Sequence, residues 1–516
     1  MPVHNHDSRP YDWVGSWSER RAALTPDRVA VHDLTTDREF TYADLDDRAN
    51  RTARFLSDEG VSGGERVAVL SRNRPEYVDL FFATGKTGGV LAPLSHRLAP
   101  GELVQMLNDV DPSVLVVEAP FETVVEAVLA HDDRSFDASL YSLPTDGETA
   151  FPPLESALPA NGSPVETAAI GLDDPHLFLH TGGSTGVPKE TVVTHGAIYW
   201  NSMNTITAWG LRDDDVSPMV FPMFHTGGWN VITVPLFHMG GQITIGREFD
   251  PARMLSVIES QEATVFVAVP AMLRMMTETD GWDDADLSSL RFAKSGGGPS
   301  RDAVMRAWWE KGIEFSQGYG LTECGPNNFA MPDDWPREKA DSVGVPGMHV
   351  DVRIVDDDGS PVDEGEVGEL ELASPHAADR YWENETETVE TFDDYVATGD
   401  LARRDEAGYV YIEGRKKNMY VSGGENVYPP EVENHLSDHP AVDEVVVVPV
   451  PDDTWGQVGK AVVQGEDSLS IDDLHAFLDD RLAKFKWPRH LAFVDEMPTS
   501  GPSKIDRQAI EREFGE

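Results

Sequence analysis

Cysteine is nearly absent: Cys324 stands alone among 516 residues. That excludes an internal disulfide framework and a multi-cysteine metal centre, and it fits a reducing compartment. Long apolar runs are missing too. The longest, such as VVVVPV near residue 445, are strand-sized against the roughly 20 residues that span a bilayer, so no integral membrane association is expected. The N-terminal MPVHNHDSRP has neither the basic nor the apolar region of an export signal, and a cytoplasmic location is expected. Positive charge is scarce. Lys and Arg number 41 against 91 Asp and Glu, a formal charge of −50, and a field of that sign repels nucleic acid and anionic membranes. The acids are spread along the chain, as expected of a halophilic protein whose self-repulsion is screened by a salty cytoplasm. Disorder, the other reading of strong charge, conflicts with 40% hydrophobic residues and twelve tryptophans.

A chain of this length holds two or more domains. From about Val29 to Val117, short apolar runs (RVAVL, VLAPL, VLVVE) alternate with helix-like segments (YADLDDRANRTARFL, EYVDLFFATGKTG, ELVQMLNDV). Strand alternating with helix predicts an α/β fold layered on largely parallel sheets. Thr41 and Asn73 stand where N-caps would open the first two helices, with Pro75 in the tolerated first turn. Residues 130–175, rich in Asp, Pro, Ser and Gly, read as surface loop. TVFVAVPAML, a helix ending near Thr279 and LRFAKSGGGP repeat the strand–helix–strand logic. The run Gly296, Gly297, Gly298 lets backbone approach a neighbour closely. After about Asp341, short alternating strands with tight turns predict a β-rich subdomain reaching residue 416. Beyond it come a Gly-rich loop, an acidic helix near PPEVENHLSDHP, strands DEVVVVPVP and GKAVVQ, and the helix IDDLHAFLDDRLAKF. These read as a separate small α+β domain, so the expected division is 1–416 and 417–516.

The loop LHTGGSTGVPKETVVTH, residues 179–195, gathers glycines, hydroxyls and one lysine between two apolar runs. Freed backbone N–H groups beside hydroxyls and an ammonium suit phosphate oxygens. A Walker A loop would end in Gly-Lys-Ser/Thr and open a helix; here Lys189 lies between Pro188 and Glu190, and the β-branched TVVTH predicts another strand. An ordinary Gly-rich hairpin turn is the alternative.

Three further stretches follow in order: QGYGLTECGP at 317–326, VATGDLARRDEAGYVYIEGRKKN at 396–418 and PTSGPSKIDR at 498–507. This ordered set resembles the adenylate-forming superfamily of acyl-CoA synthetases, aryl-CoA ligases, beetle luciferases and nonribosomal-peptide adenylation domains. The resemblance implies an ATP- and Mg²⁺-dependent acyl-CoA synthetase with a mobile C-terminal domain. Carboxylate and ATP would give acyl-adenylate and pyrophosphate, and the thiol of CoA would then displace AMP. Thr181, Gly182, Gly183, Ser184, Thr185, Gly186 and Lys189 would hold the departing phosphates. Tyr319 would lie against adenine, Thr322 would touch the α-phosphate, and Glu323 would bind Mg²⁺. Gln317, Gly318 and Gly320, with Gly296, Gly297 and Gly298, would complete the AMP-contacting set. Asp400 would take both ribose hydroxyls, and Arg415 would add charge near the ribose and α-phosphate.

Lys504, six residues after Pro498, matches the superfamily's C-terminal lysine that neutralises charge as a carboxylate attacks the α-phosphorus. Lys417 matches the interdomain hinge. The small-residue loop Ser422, Gly423, Gly424 would let the pantetheine arm of CoA pass. His225, with Thr226, Gly227, Gly228 and Trp229, resembles the border of the acyl pocket, where His225 would orient the carboxylate. Four positions depart from the usual wording: Gly182 for Ser, Glu190 for Gly, Asn418 for an acid and Ser503 for Gly. Cys324 is a bystander. Medium- to long-chain fatty acids and arylpropenoic acids are both open as substrates, and so is a homodimer. Two alternative activities stay in view: adenylation that loads a carrier protein, and non-catalytic nucleotide binding.

Overall fold

The computed structural model describes residues 14–145, 147–181, 189–422, 425–452, 455–466, 468–479, 481–499 and 505–515. The helix Tyr42–Asp58 opens on Thr41, whose hydroxyl takes the Asp44 N–H while the Asp44 carboxylate takes the Thr41 N–H. Such a reciprocal cap stabilises by about 1 kcal/mol. Leu45, Ala49, Ala53 and Leu56 recur at helical spacing and are buried. The next helix, Pro75–Thr87, starts on its proline as read, but the cap is Arg74 and not Asn73. Asn73 instead bridges to another loop, donating to Phe221 O and accepting from Met223 N, each at 2.8 Å. A buried tertiary pair of bonds has displaced the local one. The 130–175 segment is likewise not all loop. Ser139–Leu143 is a parallel strand at a sheet edge, and Leu154–Ala157 is a short helix.

Two mainly parallel sheets form the large unit. The first runs, in space, Ser139–Leu143, Val114–Glu118, Arg66–Leu70, Val90–Leu94, Pro175–Thr181 and Lys189–Thr194, with only the last pair antiparallel. The second runs Glu314–Gln317, Phe292–Ser295, Val265–Ala268, Val216–Met219, Gln242–Ile245, Val29–Asp33 and Arg38–Thr41. Val29–Asp33 thus leaves its sequence neighbours to pair with Gln242–Ile245. Val67 and Leu177 from one sheet and Val31 and Ile243 from the other join a single core. Chains of this kind leave their functional loops at the carboxyl ends of parallel strands. The loops after Thr181, Met219, Ser295 and Gln317 all start there.

The β-rich region is a four-stranded antiparallel sheet of Asp351–Val355, Gly368–Ala373, Val396–Arg404 and Val410–Arg415. A single turn of 3-10 helix, Lys416–Asn418, connects it to Tyr420–Ser422, the first strand of a last sheet. That sheet pairs Val442–Asp452 with Gly456–Gly465 and carries the helices Pro429–Ser437 and Ile471–Leu478 over its own core of Val432, Leu436, Val447 and Leu474. No described helix is long and apolar enough to cross a membrane.

Candidate functional site

Pro175–Thr181 and Lys189–Thr194 form an antiparallel stem in which Thr181 faces Lys189 and His180 faces Glu190. The continuation is strand, so the loop is no helix-opening Walker motif. Gly182, Gly183, Ser184, Thr185 and Gly186 lie outside the described residues. Strand alternation puts Thr181 and Lys189 on one face of the stem and His180 and Glu190 on the other. Glu190 is buried, its carboxylate 3.5 Å from His180 Nδ1, and its carbonyl accepts the Trp382 N–H. The acid that departs from the superfamily's glycine therefore points away from Lys189.

Lys189 meets residues far away in sequence. Its ammonium is ion-paired with Glu387 and lies 5.0 Å from the ring centre of Tyr381. Burial lowers its pKa, opposed by the negative charges of Glu323 and Glu390. Tyr381 donates its phenol proton to Glu323 Oε1 at 2.9 Å, and burial together with Glu323 raises that phenol's pKa. The segment around Tyr381 is locked along the stem, with Val192 N bonded to Arg380 O and a bridge from Thr191 to Tyr381. Sequence reasoning found Lys189 and Glu323 but missed Tyr381 and Glu387, which lie in an acidic stretch with no motif of its own. No group of three metal-ligating side chains occurs among the described residues. One carboxylate held by a tyrosine suits Mg²⁺, which binds through one or two carboxylates, waters and substrate phosphates.

The neighbouring arrangement is built on strand pairing. Asp400 and Arg415 are register partners, and Arg415 Nε lies 2.8 Å from Asp400 Oδ1. Tyr319 donates to Asp400 Oδ2 at 2.5 Å. Arg415 also donates to Thr398 O at 3.0 Å, and Asp400 N donates to Thr398 Oγ1. Thus Tyr319, Asp400 and Arg415 are brought together, while Thr322 and Glu323 follow in the half-buried turn after Tyr319.

The remaining loop residues are largely framework. The Gln317 amide accepts from Ser300 N and donates to Ala340 O, both at 2.8 Å. Gly318 N donates to Ser295 O. Gly297 has φ +85°, and a Cβ on Gly320 would lie 2.4 Å from Pro326 Cα. Gly296 and Gly298 have space around them.

His225 opens a turn of 3-10 helix, Thr226–Gly228, and its ring packs 4.5 Å from that of Phe224. A Cβ on Gly228 would lie 2.6 Å from Pro222 O, and one on Gly227 would meet the Phe221 ring. Trp229, read from the sequence as shaping the pocket wall, is set in the core behind this turn. It is fully buried, stacks on Phe81 at 4.8 Å and donates to Met223 O at 2.7 Å, so it props the turn from within the core.

A further residue escaped the sequence reading. Lys294 lies on the Phe292–Ser295 strand, buried, and the single hydrogen bond of its ammonium among the described residues goes to Ser316 Oγ at 2.8 Å. The ammonium lies 5.0 Å from the ring centre of Trp209, no carboxylate is within ion-pair distance among the described residues, and burial pushes its pKa down to about 8. The signal was a lone lysine in the short buried strand FAKS.

Lys504, Gly423 and Gly424 lie outside the described residues. Ser422 is buried at the end of its strand, and Lys417 is exposed in the connecting turn beside Lys416, which pairs with Asp357 and Glu369. Cys324 is buried, and burial with nearby Glu323 and Asp400 raises its pKa well above the usual thiol value, which disfavours the thiolate form.

The chain matches two family models, AMP-binding enzyme over residues 18–382 and AMP-binding enzyme C-terminal domain over residues 431–504. A feruloyl-CoA synthase of Amycolatopsis sp is 37% identical over 505 residues, covering 97% of this chain and 99% of that protein. An indoleacetate–CoA ligase of Aromatoleum aromaticum is 34% identical over 504 residues, 96% of this chain and 97% of that protein. Among solved structures, the anthranilate CoA ligase AuaEII in complex with anthranoyl-AMP superposes with TM-score 0.89 at 26% identity, covering 97% and 96% of the two chains.

Proposed function

Because the chain belongs to the AMP-binding enzyme family and is an ATP-dependent, AMP-forming acid–thiol ligase that makes acyl-CoA, we propose that its acid is aromatic and carries a hydrogen-bonding group on the ring. The observation that carries this reading is Lys294. An ammonium buried without a carboxylate costs several kcal/mol unless another partner offsets it. Strand alternation sets Lys294 on the face shared with Phe292 and Ser316, below the loop that begins at Ser295. A ring lying along that face would bring a phenol, amine or second carboxylate to the ammonium while its reactive carboxylate reaches His225.

The same reading assigns the remaining roles. Asp400, with Tyr319 and Arg415 fixing both its oxygens, takes the ribose hydroxyls of ATP. Glu323, steadied by Tyr381, holds Mg²⁺, which when bound supplies positive charge to phosphate oxygens. Lys189 and the Thr181–Gly186 loop follow the pyrophosphate as the acid attacks the α-phosphorus, and Lys504 neutralises charge in that step. Residues 1–416 form the stationary domain, and 417–516 turn about Lys417 to admit CoA past Ser422–Gly424.

A panel of acids tests the substrate. Lys294→Met should lower kcat/KM for a ring-hydroxylated acid by about tenfold or more, a loss of ~1.4 kcal/mol or greater, while an unsubstituted ring loses little. Equal losses for both, or a preference for long alkyl acids, would contradict the reading.

A further inference from the structure

Cations are few in this chain, yet two arginines converge on one carboxylate of the C-terminal unit. Arg274, on the helix Pro270–Thr277, donates to Glu444 Oε1 at 2.8 Å. Arg301 donates through one nitrogen, Nη2, to Glu444 Oε2 at 3.0 Å and to Asp443 O at 2.6 Å. All three side chains are about three-quarters buried. Charged hydrogen bonds in such partial shelter hold geometry better than exposed pairs do.

The attachment points matter more than the count of bonds. Arg301 is the N-cap residue of the helix Asp302–Glu310 and directly follows Ser300. Ser300 is bound on both sides to the nucleotide-loop frame, its N–H to Gln317 Oε1 and its hydroxyl to Ser295 Oγ at 2.7 Å. Glu444 lies near the start of the Val442–Asp452 strand, the longest in the C-terminal sheet. The fork therefore ties the edge strand of the C-terminal sheet to the frame from which Gly296–Gly298 and Tyr319 project. Arg274 also has Glu278 at 3.5 Å, one turn along its own helix, so a replacement partner stands ready when Glu444 leaves.

We propose that Glu444, gripped by Arg274 and Arg301, is a positioning latch that holds the C-terminal unit in this one arrangement and so sets the balance between the two half-reactions. The inference rests on the two-step reading above, because only an enzyme that serves adenylation and thiol transfer from different arrangements has a balance to set. Loosening one arrangement raises the share of the other by the free energy removed.

The two steps can be read separately in one protein. Acid-dependent exchange of pyrophosphate into ATP reports adenylation, and mixing prepared acyl-AMP with CoA reports thiol transfer. Glu444→Gln should change the ratio of these two rates by about fivefold or more, the lower end of ordinary coupling between sites. One rate falls while the other holds or rises. Removing the grip from the other side, with Arg274→Gln and Arg301→Gln together, should move the ratio in the same direction. A ratio within twofold of wild type, whether both rates hold or both fall together, overturns the latch. Absence of any acid-dependent exchange in the wild-type enzyme would instead overturn the two-step reading itself.

Discussion

Tyr319 and Asp400, eighty-one positions apart, share a 2.5 Å hydrogen bond in which the phenol donates and the carboxylate accepts. Arg415 occupies the other carboxylate oxygen, so the acid is fixed in plane before any ligand arrives. A carboxylate oxygen can accept more than one hydrogen bond, which is compatible with the ribose role proposed for Asp400. Tyr319→Phe keeps the aromatic face and removes one donor. It should raise KM for ATP by about tenfold with a smaller change in kcat, the effect of one charged hydrogen bond of ~1.5 kcal/mol. An unchanged KM would mean that Asp400 needs no such steadying.

Tyr381 does the same for Glu323. Tyr381→Phe removes the only hydroxyl bonded to the proposed Mg²⁺ carboxylate among the described residues, and residues that orient a metal ligand typically change metal affinity by 10–100-fold. The half-saturating Mg²⁺ concentration should therefore rise by about tenfold, with activity largely recovered at excess Mg²⁺. Titrating the initial rate with MgCl₂ checks this.

Buried histidines predict acid sensitivity. His176 and His195 stack at 4.4 Å, both fully buried. Burial lowers the pKa of His176 well below the ordinary value of 6.5 and that of His195 to about 3. His376 is likewise lowered to about 3 and His238 to about 4. The folded state refuses protons that the unfolded chain accepts from about pH 6.5 downward. Their stabilising contribution is therefore complete above pH 6.5 and is lost as pH falls toward 3, at up to ~1.4 kcal/mol per pH unit for each group. Urea midpoints measured from pH 7.5 to 4.5 should fall steadily, and His195→Phe should flatten the slope even if it shifts the midpoint.

A formal charge of −50 should be felt in stability as well. The screening length shrinks from about 10 Å at 0.1 M salt to about 3 Å at 1 M, so repulsion among surface carboxylates fades across that range. Tm should rise by roughly 10 °C or more between dilute and molar KCl, because the unfolded chain spreads the same charge over a larger volume. A flat profile would remove the halophilic reading.

Much of the fold and part of the site were legible in the chain because their signals are local. Alternating apolar runs gave the strands, Thr41 gave a cap, and the resemblance of the TGD and QGYGLTE stretches to the adenylate-forming superfamily pointed to Asp400, Tyr319 and Glu323. What escaped depends on contacts between distant segments. Asn73 looks like a cap until Phe221 and Met223 compete for its amide. Trp229 sits in a loop motif but is drawn into the core by Phe81. Tyr381 and Glu387 gain their meaning only when a motif-free segment pairs along the stem of Pro175–Thr181 and Lys189–Thr194. Lys294 is one charged letter in a four-residue strand, and its burial without a carboxylate among the described residues is a property of three-dimensional packing.

The central claim is that this protein makes an acyl-adenylate first and a thioester second. The direct measurement incubates the enzyme with ATP, Mg²⁺ and a ring-hydroxylated aromatic acid in molar KCl without CoA, and traps the activated acid with hydroxylamine. The account predicts pyrophosphate, AMP and hydroxamate in equal amounts while CoA is absent, and acyl-CoA with AMP when CoA replaces hydroxylamine as the acceptor. Release of ADP and phosphate, or no activated acid until CoA is present, would contradict it.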